Sequence, residues 1–173
     1  SGDLNEEIDG WRLGQIFEAM PDGMPLSYQL GADNDEAIDS VLSGCDAAIY
    51  NIGILRENPK LGVTFEALQY DGARRVIDAA QRHGVQRLLL MSANGVDAET
   101  TRYQRTKRQA ERYLENTDLD WTIFRPSVIF GDSGGSQEFT HQLYRELVRP
   151  PVPAVAFPGV EMSPVFVGDV ADA

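Results

Sequence analysis

Tyr103, Gln104, Arg105, Thr106 and Lys107 form the stretch of this 173-residue chain whose spacing by itself suggests chemistry. On a helix, residues i and i+4 share a face, so the Tyr103 phenol and the Lys107 ammonium can meet in one site. An ammonium beside a phenol favours phenolate. The expectation is therefore that Lys107 lowers the Tyr103 pKa from about 10 toward neutral, where a phenol can do general acid–base work. The chain has six tyrosines and only two lysines, Lys60 and Lys107, so the pair can also arise by chance, and a surface pair on a charged helix is the plain alternative. Two strand ends add to the case. Ser92 closes the apolar run RLLLMS, and Asn51 closes the run that begins at Ala47, with Gly53 following where a backbone can approach a ligand closely. In an open α/β sheet, ligands bind beyond the carboxyl ends of the strands. Each residue alone is a weak signal, because serine and asparagine also end strands as turn formers.

The elements that must position these residues alternate. Short apolar runs (Pro25–Leu30, Ala47–Asn51, Arg87–Ser92, Trp121–Pro126) separate amphipathic segments, the pattern of a parallel sheet with helices on its faces. A helix is expected over Asp35–Ser43, capped by Asp33 or Asn34, with Ile38, Val41 and Leu42 on one side. A second is expected over Phe65–His83, ended by Gly84, and a third over Thr101–Asn116 with Tyr103, Ala110 and Leu114 toward one side. RLLLMS lacks alternation, as a strand covered on both faces should. The N-terminal GWRLGQIFEAMPDG, with Trp11, Ile16, Phe17 and Met20 near helical spacing, reads as a helix packed on the sheet. After Gly131 come a DSGGS loop, a helix over Gln137–Val148, five prolines between Pro150 and Pro164, a short strand at Val165–Val167 and a helical turn from Asp169.

Composition narrows the partners. Hydrophobic residues make up 42% and charged residues 24%, ordinary for a globular chain, and no apolar run approaches the roughly 20 residues of a spanning helix. A net charge of −12 disfavours nucleic acid and anionic lipid. The basic cluster Arg102, Arg105, Lys107, Arg108 and Arg112 reads as a solvated helix face. Cys45 is the only cysteine and His83 and His141 stand apart, so no metal site is expected. The acidic, polar N-terminus does not look like a secretory signal, and the expected location is the cytoplasm.

In order, GCDAAIYNIG, DGARRVIDAAQRHGVQRLLLMSANG, RYQRTK, LDWTIFRPSVIFG and SPVFVGDVADA resemble the extended and atypical short-chain dehydrogenase/reductases over residues 26–173. The nearest branch is the one that holds the dinucleotide-binding accessory subunit of respiratory complex I, nucleoside-diphosphate-sugar epimerase-like and NmrA-like proteins. The resemblance implies an α/β fold with a Rossmann-like doubly wound parallel sheet. It implies three segments: residues 1–24 before the core, 25–131 as the dinucleotide-binding core, and 132–173 as the start of a substrate-binding portion. It implies NAD or NADP as cofactor, Tyr103 as acid–base, and Lys107 as the holder of the nicotinamide ribose. Ser92 would orient a substrate carbonyl or hydroxyl. Asn51, Ile52 and Gly53 would line the cofactor groove, and Arg125, Pro126 and Ser127 would border its nicotinamide end. The function implied is oxidoreductase or epimerase, acting on a small molecule such as a nucleotide sugar or ketone. The alternative is a non-catalytic NAD(P)-binding protein, associated with a respiratory complex or regulatory.

The pattern departs from the family at its beginning. The glycine-rich turn that seats a pyrophosphate at a helix N-terminus is missing; Gly10-Trp-Arg-Leu-Gly14 has the wrong spacing, and Ala32 replaces the aspartate of the turn after the third strand. Only 30 residues precede Gly31, too few for the first strand-helix-strand unit and the next strand. The sheet is expected to be incomplete at that unit and at the C-terminus, either as a piece of a longer protein or as a degenerate member that binds dinucleotide differently.

Overall fold

The computed structural model describes residues 7–8, 11–15, 34–131 and 163–173. They fall in two units, Ser1–Arg125 and Pro126–Ala173. The first is built on a parallel ladder of β3 (Ala47–Tyr50), β4 (Arg87–Met91) and β5 (Asp120–Phe124). Ala47 pairs with Arg87 and Arg87 with Asp120, and the register runs on to Tyr50 opposite Leu90 and Met91 opposite Phe124. Parallel neighbours cannot be joined by a tight hairpin, so helices make the crossovers. The helix α1 (Asp35–Leu42) leads into β3, α2 (Gly72–His83) joins β3 to β4, and α3 (Arg102–Glu115) joins β4 to β5.

The free side of β3 is filled by β2 (Trp11–Gln15), parallel and with Leu13 opposite Ala47. Antiparallel to β2 at the sheet's edge lies β1 (Glu7–Ile8), giving the order β1-β2-β3-β4-β5. Over Trp11–Gln15 this corrects the helix expected for the N-terminal segment, whose residues 16–24 lie outside the described residues. The spacing of Trp11, Ile16, Phe17 and Met20 is an irregular periodicity, whereas the open side of β3 presents a row of backbone N–H and C=O groups that a neighbouring strand pairs. The strand expected at Pro25–Leu30, the Gly31–Ala32 turn, the helix expected over Gln137–Val148 and His141 lie outside the described residues.

Local signals set the helix ends. The Asn34 side chain accepts from the Ala37 N–H at 3.1 Å and starts α1. Thr101 and Gln104 form a reciprocal capping box at the start of α3, Thr101 Oγ1 accepting from the Gln104 N–H at 3.1 Å and Gln104 Oε1 from the Thr101 N–H at 3.0 Å. Gly84 ends α2 at φ 71°, a conformation that costs any residue with a Cβ. Ahead of α2, Glu66–Asp71 is wound as a π-helical turn.

Ile38 and Leu42 of α1, Val76, Ile77 and Ala80 of α2, Ala110 and Leu114 of α3, and Tyr50, Leu88 and Leu90 of the strands form one buried cluster. Burial along β4 alternates, with Leu88 and Leu90 fully buried and Leu89 and Met91 only partly. The unbroken apolar run thus does not mark equal cover on both faces: the side chains of every second residue enter the helix layer, and the others take the opposite face.

In the second unit, β6 (Ile129–Phe130) pairs in parallel with β7 (Val165–Phe166), and α4 (Val167–Ala171) follows directly, beginning two residues before the turn expected from Asp169. Among the described residues no helix is long and apolar enough to cross a membrane.

Candidate functional site

The buried stripe of α3 runs through Thr106, Lys107, Ala110, Glu111 and Leu114. Apolar Ala110 and Leu114 hold the helix to the sheet, and that same packing forces the polar members inward. Lys107 is 4% exposed. Its ammonium donates to the Ile52 carbonyl at 3.0 Å and to the Met91 carbonyl at 2.8 Å. It therefore pins the chain leaving β3 and the end of β4 to one helix. A lysine has three N–H donors, so one proton remains beyond these two bonds. Burial lowers the Lys107 pKa to about 8 against the opposing pull of the Glu111 carboxylate.

Ser92 follows Met91 immediately. Its N–H donates to the Phe124 carbonyl at 2.7 Å, extending the ladder with β5 by one residue. Its side chain is 5% exposed, and its hydroxyl oxygen has no hydrogen-bond partner among the described residues. An unpaired buried hydroxyl costs roughly 1–3 kcal/mol, so it marks a place where a ligand group would be accepted.

Tyr103 lies one turn before Lys107, partly buried, its ring edge-on to Phe65 with centroids 5.8 Å apart. Burial raises its pKa. This corrects the expected lowering by Lys107: the ammonium is engaged by two backbone carbonyls, and loss of water around the phenol, which opposes phenolate, decides the direction. Asn51 and Gly53 are exposed beyond the end of β3, with Ile52 buried between them. A methyl built on Gly53 would stand 3.5 Å from the Lys107 Nζ, in ordinary contact.

Arg125, which the resemblance puts at the nicotinamide end, is engaged by carboxylates. Its Nε and Nη2 grip the two oxygens of Glu111 at 2.8 and 2.7 Å, and its Nη1 donates to Asp97 at 2.6 Å. Each guanidinium nitrogen is thus committed to a carboxylate, which raises the Arg125 pKa, with the Glu111 bond as the main cause. Glu111 is 0% exposed and also accepts from Arg108 at 2.9 Å. The basic cluster is consequently not one solvated face. Lys107 is buried, and the Arg108 guanidinium is held by Glu111, Glu115 and Asp97. Pro126 and Ser127 open the second unit, each partly buried.

Sequence reasoning missed Glu111, Thr106 and Gln69. Thr106 Oγ1 donates to Gln69 Oε1 at 2.8 Å, and Gln69 Nε2 donates to the Ile54 carbonyl at 3.1 Å. The carbonyls of Ile52 and Ile54 are therefore both tied down, one by Lys107 and one by Gln69, fixing the loop that carries Gly53. A polar residue on the helical stripe of Ala110 and Leu114 was the available signal for Thr106 and Glu111.

A sequence model of proteins described as NAD(P)H-binding matches residues 26–149. The chain belongs to that NAD(P)H-binding family. Among its relatives, ceramide reductase from Caulobacter vibrioides is 27% identical over 135 residues, which cover 78% of this chain and 41% of the reductase. The mitochondrial 40 kDa subunit of NADH-ubiquinone oxidoreductase from Neurospora crassa is 27% identical over 110 residues, 63% of this chain and 29% of the subunit. The chain thus spans less than half the length of either curated relative. In fold it is similar to DesIV, a dTDP-glucose 4,6-dehydratase from Streptomyces venezuelae whose structure holds NAD and DAU, with a TM-score of 0.63 at 16% identity over 82% of this chain and 50% of that one. The α/β fold with its parallel sheet is that of solved NAD-binding proteins such as DesIV, and the cofactor of the NAD(P)H-binding family is NAD or NADP. Two observations fit such a cofactor to these residues: the Ser92 hydroxyl, without a partner among the described residues, and the remaining proton of Lys107. A pyrophosphate anchor at a glycine-rich turn has no counterpart among the described residues.

Proposed function

We propose that the protein is an NAD(P)-dependent oxidoreductase or epimerase in which Tyr103 exchanges a proton with the substrate oxygen. The observation that carries the reading is the junction at the end of β4: Lys107 holds the Met91 carbonyl, and the next residue, Ser92, keeps a buried hydroxyl with no partner among the described residues. When bound, the nicotinamide supplies or accepts a hydride at C4. Lys107 turns its remaining proton to the nicotinamide ribose, while its bonds to Ile52 and Met91 keep it in place. The Ser92 hydroxyl donates to the carbonyl oxygen of the substrate and orients it. In the reductive direction Tyr103 gives its phenolic proton to that oxygen as the hydride reaches the carbon; in the oxidative direction it takes the proton back. Asn51, Ile52 and Gly53 line the groove.

Because burial raises the phenol's pKa, Tyr103 enters as the acid. Ketone reduction should then hold level across neutral pH, while alcohol oxidation, which needs phenolate, should climb between about pH 7 and 10. In the natural full-length protein, Tyr103→Phe should abolish turnover and leave NADH or NADPH affinity, read by fluorescence titration, within about twofold. Unchanged turnover would reject the role. A ketone substrate is in keeping with the reductase relative, and a nucleotide sugar with the family branch resembled.

A second reading, a non-catalytic dinucleotide-binding accessory protein of a respiratory assembly or an NmrA-like regulator, is favoured by the likeness to the 40 kDa oxidoreductase subunit. It requires tight NADH or NADPH binding with no turnover on a panel of sugar nucleotides and ketones.

A further inference from the structure

The catalytic reading leaves one buried charge without a task. Glu111 is 0% exposed and sits one helical turn beyond Lys107, on the same side of α3. Two guanidinium groups converge on it. Arg108 reaches it along α3, Arg125 grips both its oxygens from the end of β5, and Arg125 and Arg108 both bind Asp97 in the loop between Ser92 and α3. A salt bridge that served stability alone would not need to lie here, because buried ion pairs are often no better than apolar packing. What distinguishes its place is Lys107, an ammonium taken out of water whose hydrogen bonds among the described residues are to two neutral carbonyls. The Glu111 carboxylate, one turn along the same side of the helix, favours the charged ammonium against the effect of burial. Tyr103, one turn the other way, is neutral.

We propose that Glu111 is a positioning residue: clamped by Arg125 and Arg108, it supplies the counter-charge that keeps the Lys107 ammonium protonated between Ile52 and Met91. Through Asp97 the same clamp ties that charge to the loop following Ser92. The Arg125 fork is thus a support for the site rather than a cofactor contact. The cofactor consequence rests on the function proposed above; the effect on Lys107 does not.

The chain makes a direct test possible, because it has two lysines and Lys60 is exposed. Protein labelled with 13C at lysine Cε gives two resonances, assigned by Lys60→Arg, and their pH titration reads each ammonium separately. In the wild-type chain Lys107 should titrate near pH 8. In Glu111→Gln the midpoint should fall by about one unit, since Arg108 and Arg125 are left uncompensated nearby. Glu111→Asp, which keeps the charge, should restore it to within about half a unit. Mere loosening of the helix would admit water and move the midpoint up, toward Lys60. An unchanged or raised midpoint in Glu111→Gln therefore overturns the proposal. Should that variant fail to fold, the wild-type chain still decides, because a Lys107 midpoint at or above about 10 means an ammonium in water that needs no counter-charge. NADH and NADPH titrations of the same samples separate the two ideas. If the wild-type protein binds neither while the Lys107 shift follows Glu111, the cofactor reading fails and the positioning role stands; if binding is present and the shift is not, the reverse holds.

Discussion

Two halves of α3 handle buried charge in opposite ways. Around Glu111, in the second half, both carboxylate oxygens meet guanidinium groups, and those guanidiniums meet further carboxylates of Asp97 and Glu115. Around Lys107, in the first half, an ammonium leans on two carbonyls, a serine hydroxyl next door has no partner among the described residues, and a phenol is held by burial in its neutral form. One half is saturated and the other is left short of partners. A helix anchored firmly at one end can keep its other end in a state that a loosely packed protein would relax, by rotating a side chain or admitting water. Polar groups left unpaired in a rigid setting are where a ligand's own polar atoms gain most.

The comparison breaks first if the saturated half can be removed cheaply. Glu111→Ala leaves Arg125 facing an empty cavity and should cost about 3 kcal/mol or more in urea-induced unfolding; a loss under about 1 kcal/mol would show that the cluster anchors nothing. The poised half can be read through pH. The Lys107 pKa is about 8 in the folded chain, below its ordinary 10.5. Between those values the unfolded chain holds more protons than the folded one, so stability rises with pH. Relative to Lys107→Met, the wild-type unfolding free energy should gain about 2–3 kcal/mol from pH 8 to pH 10. Above about pH 10 the trend should turn, because Tyr50 and Tyr103, both raised by burial, stay neutral in the folded chain after the unfolded phenols have ionised.

Smaller effects sharpen the contrast by sign. Ser92→Ala removes a hydroxyl with no partner among the described residues and should stabilise the cofactor-free protein by about 1 kcal/mol while lowering turnover; Thr106→Ala, which breaks the bond to Gln69, should destabilise it by about 1 kcal/mol. Thermal melts of the two variants side by side test this, and equal shifts of the same sign would refute it. Smallest of all, Arg112→Gln loses an exposed ion pair with Glu99 and should move stability by less than about 0.5 kcal/mol.

Most of the elements in the described core were legible because their signals are local. Asn34, Thr101, Gly84 and the apolar runs set ends and periods within a few residues of where they act. Strand-end logic likewise pointed to Asn51, Gly53 and Ser92, and helical spacing to Tyr103 and Lys107. What escaped depends on residues far apart in sequence. β2 forms because β3 has a side to fill, which no window around Trp11 reveals. Arg125 and Glu111 are fourteen positions apart and meet only once α3 lies on β5. The direction of the Tyr103 pKa needed the burial of the ring, because spacing registers a neighbouring charge and not the loss of water. A count of charges made α3 look like a solvent-facing helix, while the period through Tyr103, Lys107, Ala110 and Leu114 already contained the correction.

The π-helical turn at Glu66–Asp71 makes the site vulnerable to a kind of change that no substitution mimics. A π turn takes in one residue more than the α-helix would in closing its ring, and Gln69 lies inside it. Deleting a single codon between Glu66 and Leu68 would let the segment wind as ordinary helix at almost no cost to its own backbone bonding. It would also swing Gln69 by about 100° around the axis, breaking its bonds to Thr106 and Ile54 together. Loss of one amino acid from that turn would then free the loop of Gly53, and in lineages that lose it this groove should decay before the fold does.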